Sequence, residues 1–270
     1  MTMGPVPKTL PFYFRLSDKP LFGCYHEPPP SRLRPFGVLI CQPVGHEYVN
    51  SHRALRQLAV RLCEAGFPVL RFDYYGCGDS SGNIEDASVT QWLKDISAAI
   101  SELRRRTGLF NICLAGLRLG AALATLAAAQ RGDVENLALW DPVVEGGKYL
   151  DELRLLQKEM LRFRPKQRRN EKETTHLEIL GFALSRDFIL EIEKINLRTI
   201  AHSFTRNMLV MRTSPLGRKH LPDPLDLSAI HFEQRHLEAP EIWLPTEDGS
   251  LLVPAQVLQA IVSWSSEIHV

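Results

Sequence analysis

Phe110-Asn111-Ile112-Cys113-Leu114-Ala115-Gly116-Leu117-Arg118-Leu119-Gly120-Ala121 stands near the middle of a chain of 270 residues. Residues 111–114 have the length and unbroken apolar character of a strand covered on both faces. Gly116 and Gly120 bracket a tight turn, and the alanine-rich stretch 119–130 that follows favours helix. Strand, tight turn and helix in this order make the first half of a parallel crossover. The arginine at the centre of the turn is a large cation where such turns usually carry a small residue.

The same alternation extends in both directions. Short apolar runs at 37–41, 69–72 and 137–140 are each followed by a helical stretch, which predicts a parallel sheet with helices on both faces. Residues 51–65 carry Leu55, Leu58, Ala59 and Leu62 at helical spacing and stop at Gly66, and 88–105 places Val89, Trp92, Leu93, Ile96, Ile100 and Leu103 on one face. Residues 12–16 and 21–25 flank a polar turn and read as an opening hairpin. The alternation breaks at 147–206, a charged, helical stretch whose basic run 162–169 reads as a solvated loop. Strand character returns at 208–211 and 241–244, and a last helix spans 254–265. The expected fold is α/β: a doubly wound, mostly parallel sheet, with residues 1–146 and 207–270 as its core and 147–206 as a helical lid.

Composition narrows the function classes. Apolar residues make up 44% of the chain, charged residues 23%, and the formal net charge is +1. That balance argues against nucleic acid or an acidic membrane surface as the main partner. The first residues lack the basic and apolar regions of a signal peptide, and no apolar run reaches membrane-spanning length, so a cytoplasmic protein is expected. Cys41, Cys63 and Cys113 lie in apolar runs and read as reduced core thiols. The five cysteines and scattered histidines have no metal-ligand spacing, so neither metal nor cofactor is expected.

Three loops now resemble one family. Val38-Leu39-Ile40-Cys41-Gln42-Pro43-Val44-Gly45-His46-Glu47 is similar to the first strand and oxyanion loop of α/β-hydrolases. Phe72-Asp73-Tyr74-Tyr75-Gly76-Cys77-Gly78-Asp79-Ser80-Ser81-Gly82 resembles the glycine-rich loop of serine aminopeptidase-like members. Gly116-Leu117-Arg118-Leu119-Gly120 occupies the place of their nucleophile elbow. With Trp140-Asp141-Pro142, the set is similar to hydrolase-like proteins associated with the exosortase A system. The resemblance implies an α/β-hydrolase fold over residues 12–146 and 207–266, the insertion standing in place of the lid.

In such enzymes a serine at the elbow is activated by a histidine after the last strand, itself oriented by an acid. Here the elbow holds Arg118. Residues 245–250, where that histidine is expected, contain none, and no acid follows the strand at 208–211 until Asp223, so the sequence predicts that ordinary acyl-enzyme hydrolysis is not available. Arg118, at a helix N-terminus, has two readings: an anchor for a carboxylate or phosphate, or a structural plug bonded to Asp73, Asp79 or Asp141. The backbone amides of Val44 and Leu119 are the expected oxyanion pair. Gln42, Val44, Arg118 and Leu119 are thus the candidate substrate-binding residues. His46, in the loop after the first parallel strand, is the candidate acid or base, and Asp141 a candidate acid whose alternative is turn formation before Pro142. Cys77 is a minor candidate nucleophile, and Ser80 and Ser81 read as turn-formers. Two function classes stay open: an enzyme acting on an acyl or acidic metabolite without the serine, or a non-catalytic binding module that meets a second copy or another protein through its lid.

Overall fold

The computed structural model describes residues 8–16, 18–162, 176–200, 205–215, 229–246 and 248–268. Strands β1 (Lys8–Leu16) and β2 (Lys19–Glu27) form the opening hairpin. Then β3 (Gly37–Cys41), α1 (His46–Glu64), β4 (Val69–Phe72), α2 (Val89–Thr107), β5 (Ile112–Leu117), α3 (Leu119–Arg131) and β6 (Asn136–Trp140) alternate. Between β6 and β9 (Asn207–Ser214) lie α4 (Gly146–Leu161), a hairpin of β7 (His176–Ile179) and β8 (Phe182–Ser185), and α5 (Arg186–Glu193). Strand β10 (His231–Glu238) and α6 (Ala255–Glu267) complete the chain. The eight-stranded sheet has the order β1-β2-β4-β3-β5-β6-β9-β10; β1, β2 and β4 pair antiparallel and all other neighbours pair parallel.

Strand alternation divides the core into two layers. Val38 and Ile40 face Leu55, Leu58 and Leu62 of α1 and Leu258 and Ile261 of α6. Leu39 and Cys41 face the other layer, where Trp92, Ile96 and Ile100 of α2 meet the alanines of α3. Five alanines of α3 (121, 122, 124, 127 and 128) are buried, and their small side chains let this central helix lie close over the sheet. Ser88 caps α2 by accepting from the Gln91 N–H, and Gly108 ends the helix in the left-handed conformation.

Two expectations need correction. Residues 241–244 form a turn; the eighth strand is β10, ten residues earlier. As the sheet's edge strand it reads His-Phe-Glu-Gln-Arg-His-Leu-Glu, with only Phe232 and Leu237 apolar, because only one edge and part of each face are covered. The insertion is likewise not purely helical. Leu180 and Gly181 both take positive φ, 53° and 87°, and turn β7 into β8. Leu-Gly is an uncommon pair for a two-residue hairpin turn, so the turn carried no local signal. The basic run, from residue 163 onward, lies outside the described residues. Among the described residues no helix is long and apolar enough to cross a membrane.

Candidate functional site

The turn between β5 and α3 is built by close packing. Arg118 sits at φ 53° and ψ −122°, a conformation an L-residue adopts only when its surroundings enforce it. Its N–H donates to the Trp140 carbonyl at 3.0 Å, and its own carbonyl accepts from Ala121 at 3.0 Å and Ala122 at 3.2 Å. A Cβ on Gly116 would stand 2.5 Å from the Ala121 Cα; one on Gly120 would stand 2.3 Å and 2.4 Å from the carbonyls of Cys41 and Gln42. The two glycines therefore let the loop after β3 press against the start of α3. That brings the Gln42 backbone against the start of α3, where the Leu119 N–H belongs to the first turn, which lacks partners within its own helix.

The Arg118 side chain is held by partners that come from three other elements. Its Nε donates to Glu47 Oε1 of α1 at 3.0 Å and its Nη2 to Glu152 Oε2 of α4 at 2.6 Å. The Trp243 ring, after β10, lies with its centroid 4.9 Å from the guanidinium carbon, and the Tyr149 ring of α4 lies at 5.4 Å. Tyr149 also donates its hydroxyl to Glu47 Oε2 at 3.0 Å. The plug partners expected from sequence, Asp73, Asp79 and Asp141, are not the ones used. Asp73 accepts from Gln42 Nε2, Tyr48 Oη and the Asp79 N–H, and Asp141 accepts from the Thr213 backbone and hydroxyl at the end of β9.

The two carboxylates on Arg118 differ in kind. Glu47 is 1% exposed and Glu152 is 61% exposed, while Arg118 keeps 12%. Burial works against the Arg118 cation, but the carboxylates of Glu47 and Glu152 more than reverse it, so the guanidinium holds its proton more firmly than usual. Burial pushes the Glu47 carboxyl up, opposed by the charge and the hydrogen bonds of Arg118 and Tyr149. The remaining terminal nitrogen, Nη1, makes no hydrogen bond among the described residues, on a side chain that keeps some exposure.

His46 is the first residue of α1 rather than a loop residue. Burial, and then the Arg118 charge, lowers its pKa to about 4, and its Nε2 is buried without a partner among the described residues. His26, buried in the hairpin, is lowered to about 4 in the same way, with Arg71 as the nearest cation. Asp141 is pushed up to about 6 by burial, against the bonds from Thr213. Between pH 6.5 and 4 the unfolded chain protonates both histidines and the native state does not, so stability falls as pH drops through that window. Asp141, between pH 6 and 3.8, and the Glu47 and Asp95 carboxyls, which burial also raises, act in the opposite sense, whereas Glu102 and Asp133, held low by their arginine partners, act with the histidines. The melting temperature is therefore expected to be lower at pH 4.5 than at pH 7, with His46→Gln and His26→Gln each flattening the decline; a melting temperature that holds or rises toward pH 4.5 contradicts this.

A cavity of about 160 Å3 lies beside the same loop. Pro43, Val44, Ile84 and Phe182 give it apolar walls, with Gln42 and Tyr48 at its polar side. Cys77 lines it as a thiol, pushed up to about 12 by burial and then by Asp73 and Asp95. Ser80 donates to the Asp73 carbonyl and accepts from the Phe22 N–H, the turn-forming role expected of it. Sequence reasoning passed over Glu47, Tyr149, Glu152 and Trp243. Glu47 left a trace: with Ser51, Leu55, Leu58 and Leu62 it falls on the buried stripe of α1, where an acid needs a partner.

A mostly parallel sheet in this strand order, with a strained residue between β5 and α3, defines an α/β-hydrolase fold. The chain belongs to the serine aminopeptidase S33 family, whose profile matches residues 44–208. It is 30% identical over 140 residues to protein ABHD12B of Homo sapiens, a stretch covering 46% of this chain and 37% of that protein. It is 34% identical over 86 residues to the mitochondrial palmitoyl-protein thioesterase ABHD10 of Bos taurus, covering 31% and 27%. The chain thus spans well under half the length of these relatives. Among solved structures, Est1E of Butyrivibrio proteoclasticus with bound ferulic acid superposes with a TM-score of 0.65 at 17% identity, over 95% of this chain and 98% of that one. Alpha/beta hydrolase domain-containing protein 10 from mouse gives 0.56 at 16% identity, over 95% and 97%.

Proposed function

We propose that this chain is a hydrolase-fold protein that works without a Ser-His-acid triad and holds a small acyl or acidic metabolite beneath the insertion, which acts as its lid. The observation that carries this reading is the Arg118 guanidinium, fixed at the elbow by Glu47 and flanked by Trp243 on the loop where the family would place its histidine. An arginine cannot form an acyl-enzyme, and Asp141 bonds Thr213 rather than a histidine among the described residues. What supports the reading is backbone: the Leu119 N–H in the first turn of α3, and a cavity beside the loop after β3 whose volume suits a benzene-sized or short acyl group. The acyl substrate named for the ABHD10 relative agrees with that ligand class. Non-covalent chemistry is the second reading, supported by the unpartnered Nε2 of His46 beside Arg118; a base with a pKa of about 4 is a weak proton acceptor at neutral pH, which favours binding over turnover.

The test uses the full chain. A fluorophosphonate probe is expected to label no serine, and p-nitrophenyl butyrate to give neither burst nor turnover above background. Benzoate is expected to shift the NMR resonances of Val44, Leu119 and the Arg118 side chain. A labelled serine, or a burst, would overturn the reading.

A further inference from the structure

We infer that Glu152 is the specificity gate of the elbow site, so that the closed site admits neutral acceptors and an anion enters only as Glu152 leaves Arg118. The inference rests on the reading above, that Arg118 holds the ligand. Charge counting carries it. Arg118 is one cation facing two carboxylates, with Nε bound to Glu47 and Nη2 to Glu152. His46, the other basic group at the site, stands neutral beside it. With both glutamates ionised the cluster is net negative before any ligand arrives. A carboxylate brought to Nη1 would therefore meet one uncompensated negative charge a few ångströms away.

The two glutamates do not share the burden equally. Glu47 is buried, takes the Nε bond and also accepts from Tyr149, so it is tied at both oxygens. Among the described residues Glu152 accepts one bond, from Nη2, and it is otherwise exposed on α4. An exposed carboxylate rehydrates at little cost when it swings away, whereas a buried one does not. Glu152 thus occupies the position on Arg118 that a ligand carboxylate would take. A neutral carbonyl needs only Nη1 and leaves the Glu152 pair intact. Because Glu152 belongs to α4, its release also removes a tie between the insertion and the elbow.

Benzoate and benzamide separate these cases, being nearly the same shape with and without charge. Glu152→Gln keeps an acceptor for Nη2 and removes only the charge. Calorimetric titration is expected to show benzoate binding tightened about tenfold in Glu152→Gln, the size of one partly screened charge removed from the site. Benzamide affinity is expected to stay within about twofold of wild type. In wild type, benzoate is expected to raise amide exchange in α4, with no such rise from benzamide. Equal benzoate affinities in the two proteins, or benzoate binding with α4 exchange unchanged, overturns the gate while leaving Arg118 as the ligand's anchor. If neither compound binds either protein, the anchor itself fails and the gate with it.

Discussion

Glu47→Ala is expected to lower the melting temperature by roughly 6–12 °C, from a loss of about 3 kcal/mol. The substitution removes the buried carboxylate bonded to Arg118, which stays anchored by its backbone at the turn and cannot withdraw. It also leaves the buried Tyr149 hydroxyl without its acceptor. Glu152 remains, but a carboxylate that is mostly in water compensates a buried cation poorly. The comparison with Glu152→Ala is therefore the decisive measurement: an exposed pair of this kind is worth about 1 kcal/mol or less. Similar losses from the two substitutions would mean that Arg118 is held from the solvent side and that its buried bond is incidental. Glu47→Gln, which keeps acceptor geometry without charge, is expected to fall between wild type and Glu47→Ala.

Arg118→Ser puts the family's nucleophile into its own turn, and the expected result is a protein that neither hydrolyses p-nitrophenyl esters nor takes a fluorophosphonate label. A serine hydroxyl is a weak nucleophile without a base within hydrogen-bond reach, and the ring facing the turn is Trp243. The substitution also strands Glu47 in a dry site, so a stability loss of about 3 kcal/mol is expected, the mirror of the Glu47 result. Melting curves read that loss, and labelling with and without His46→Gln reads the chemistry. Labelling that vanishes with His46→Gln would identify His46 as a base within reach and restore a hydrolytic role to the site.

Much of the backbone was legible in the sequence because its causes are local. Strands β3 to β6 show as apolar runs since both faces of a parallel sheet are buried, and α1 to α3 show through helical spacing and glycine stops. The elbow was legible for the same reason: Gly116 and Gly120 mark where backbone meets backbone. Strand β10 was not, because an edge strand has no continuous apolar run, and its place was assigned to Ile242 and Trp243, which are buried in a turn. The hairpin at Leu180-Gly181 was missed because its turn lacks the usual asparagine or aspartate.

The site divides along the same line. The sequence by itself determined that the elbow carries an arginine, that Gln42 and Val44 follow β3 while Leu119 follows the arginine directly, and that residues 245–250 contain no histidine. Only the tertiary structure decided which groups hold that arginine. Glu47 lies 71 residues before it and Glu152 lies 34 after, and Trp243 arrives from beyond β10. Ion pairing and burial are properties of where separate elements converge, and no spacing along the chain encodes that one glutamate is buried under the guanidinium while the other stands in water.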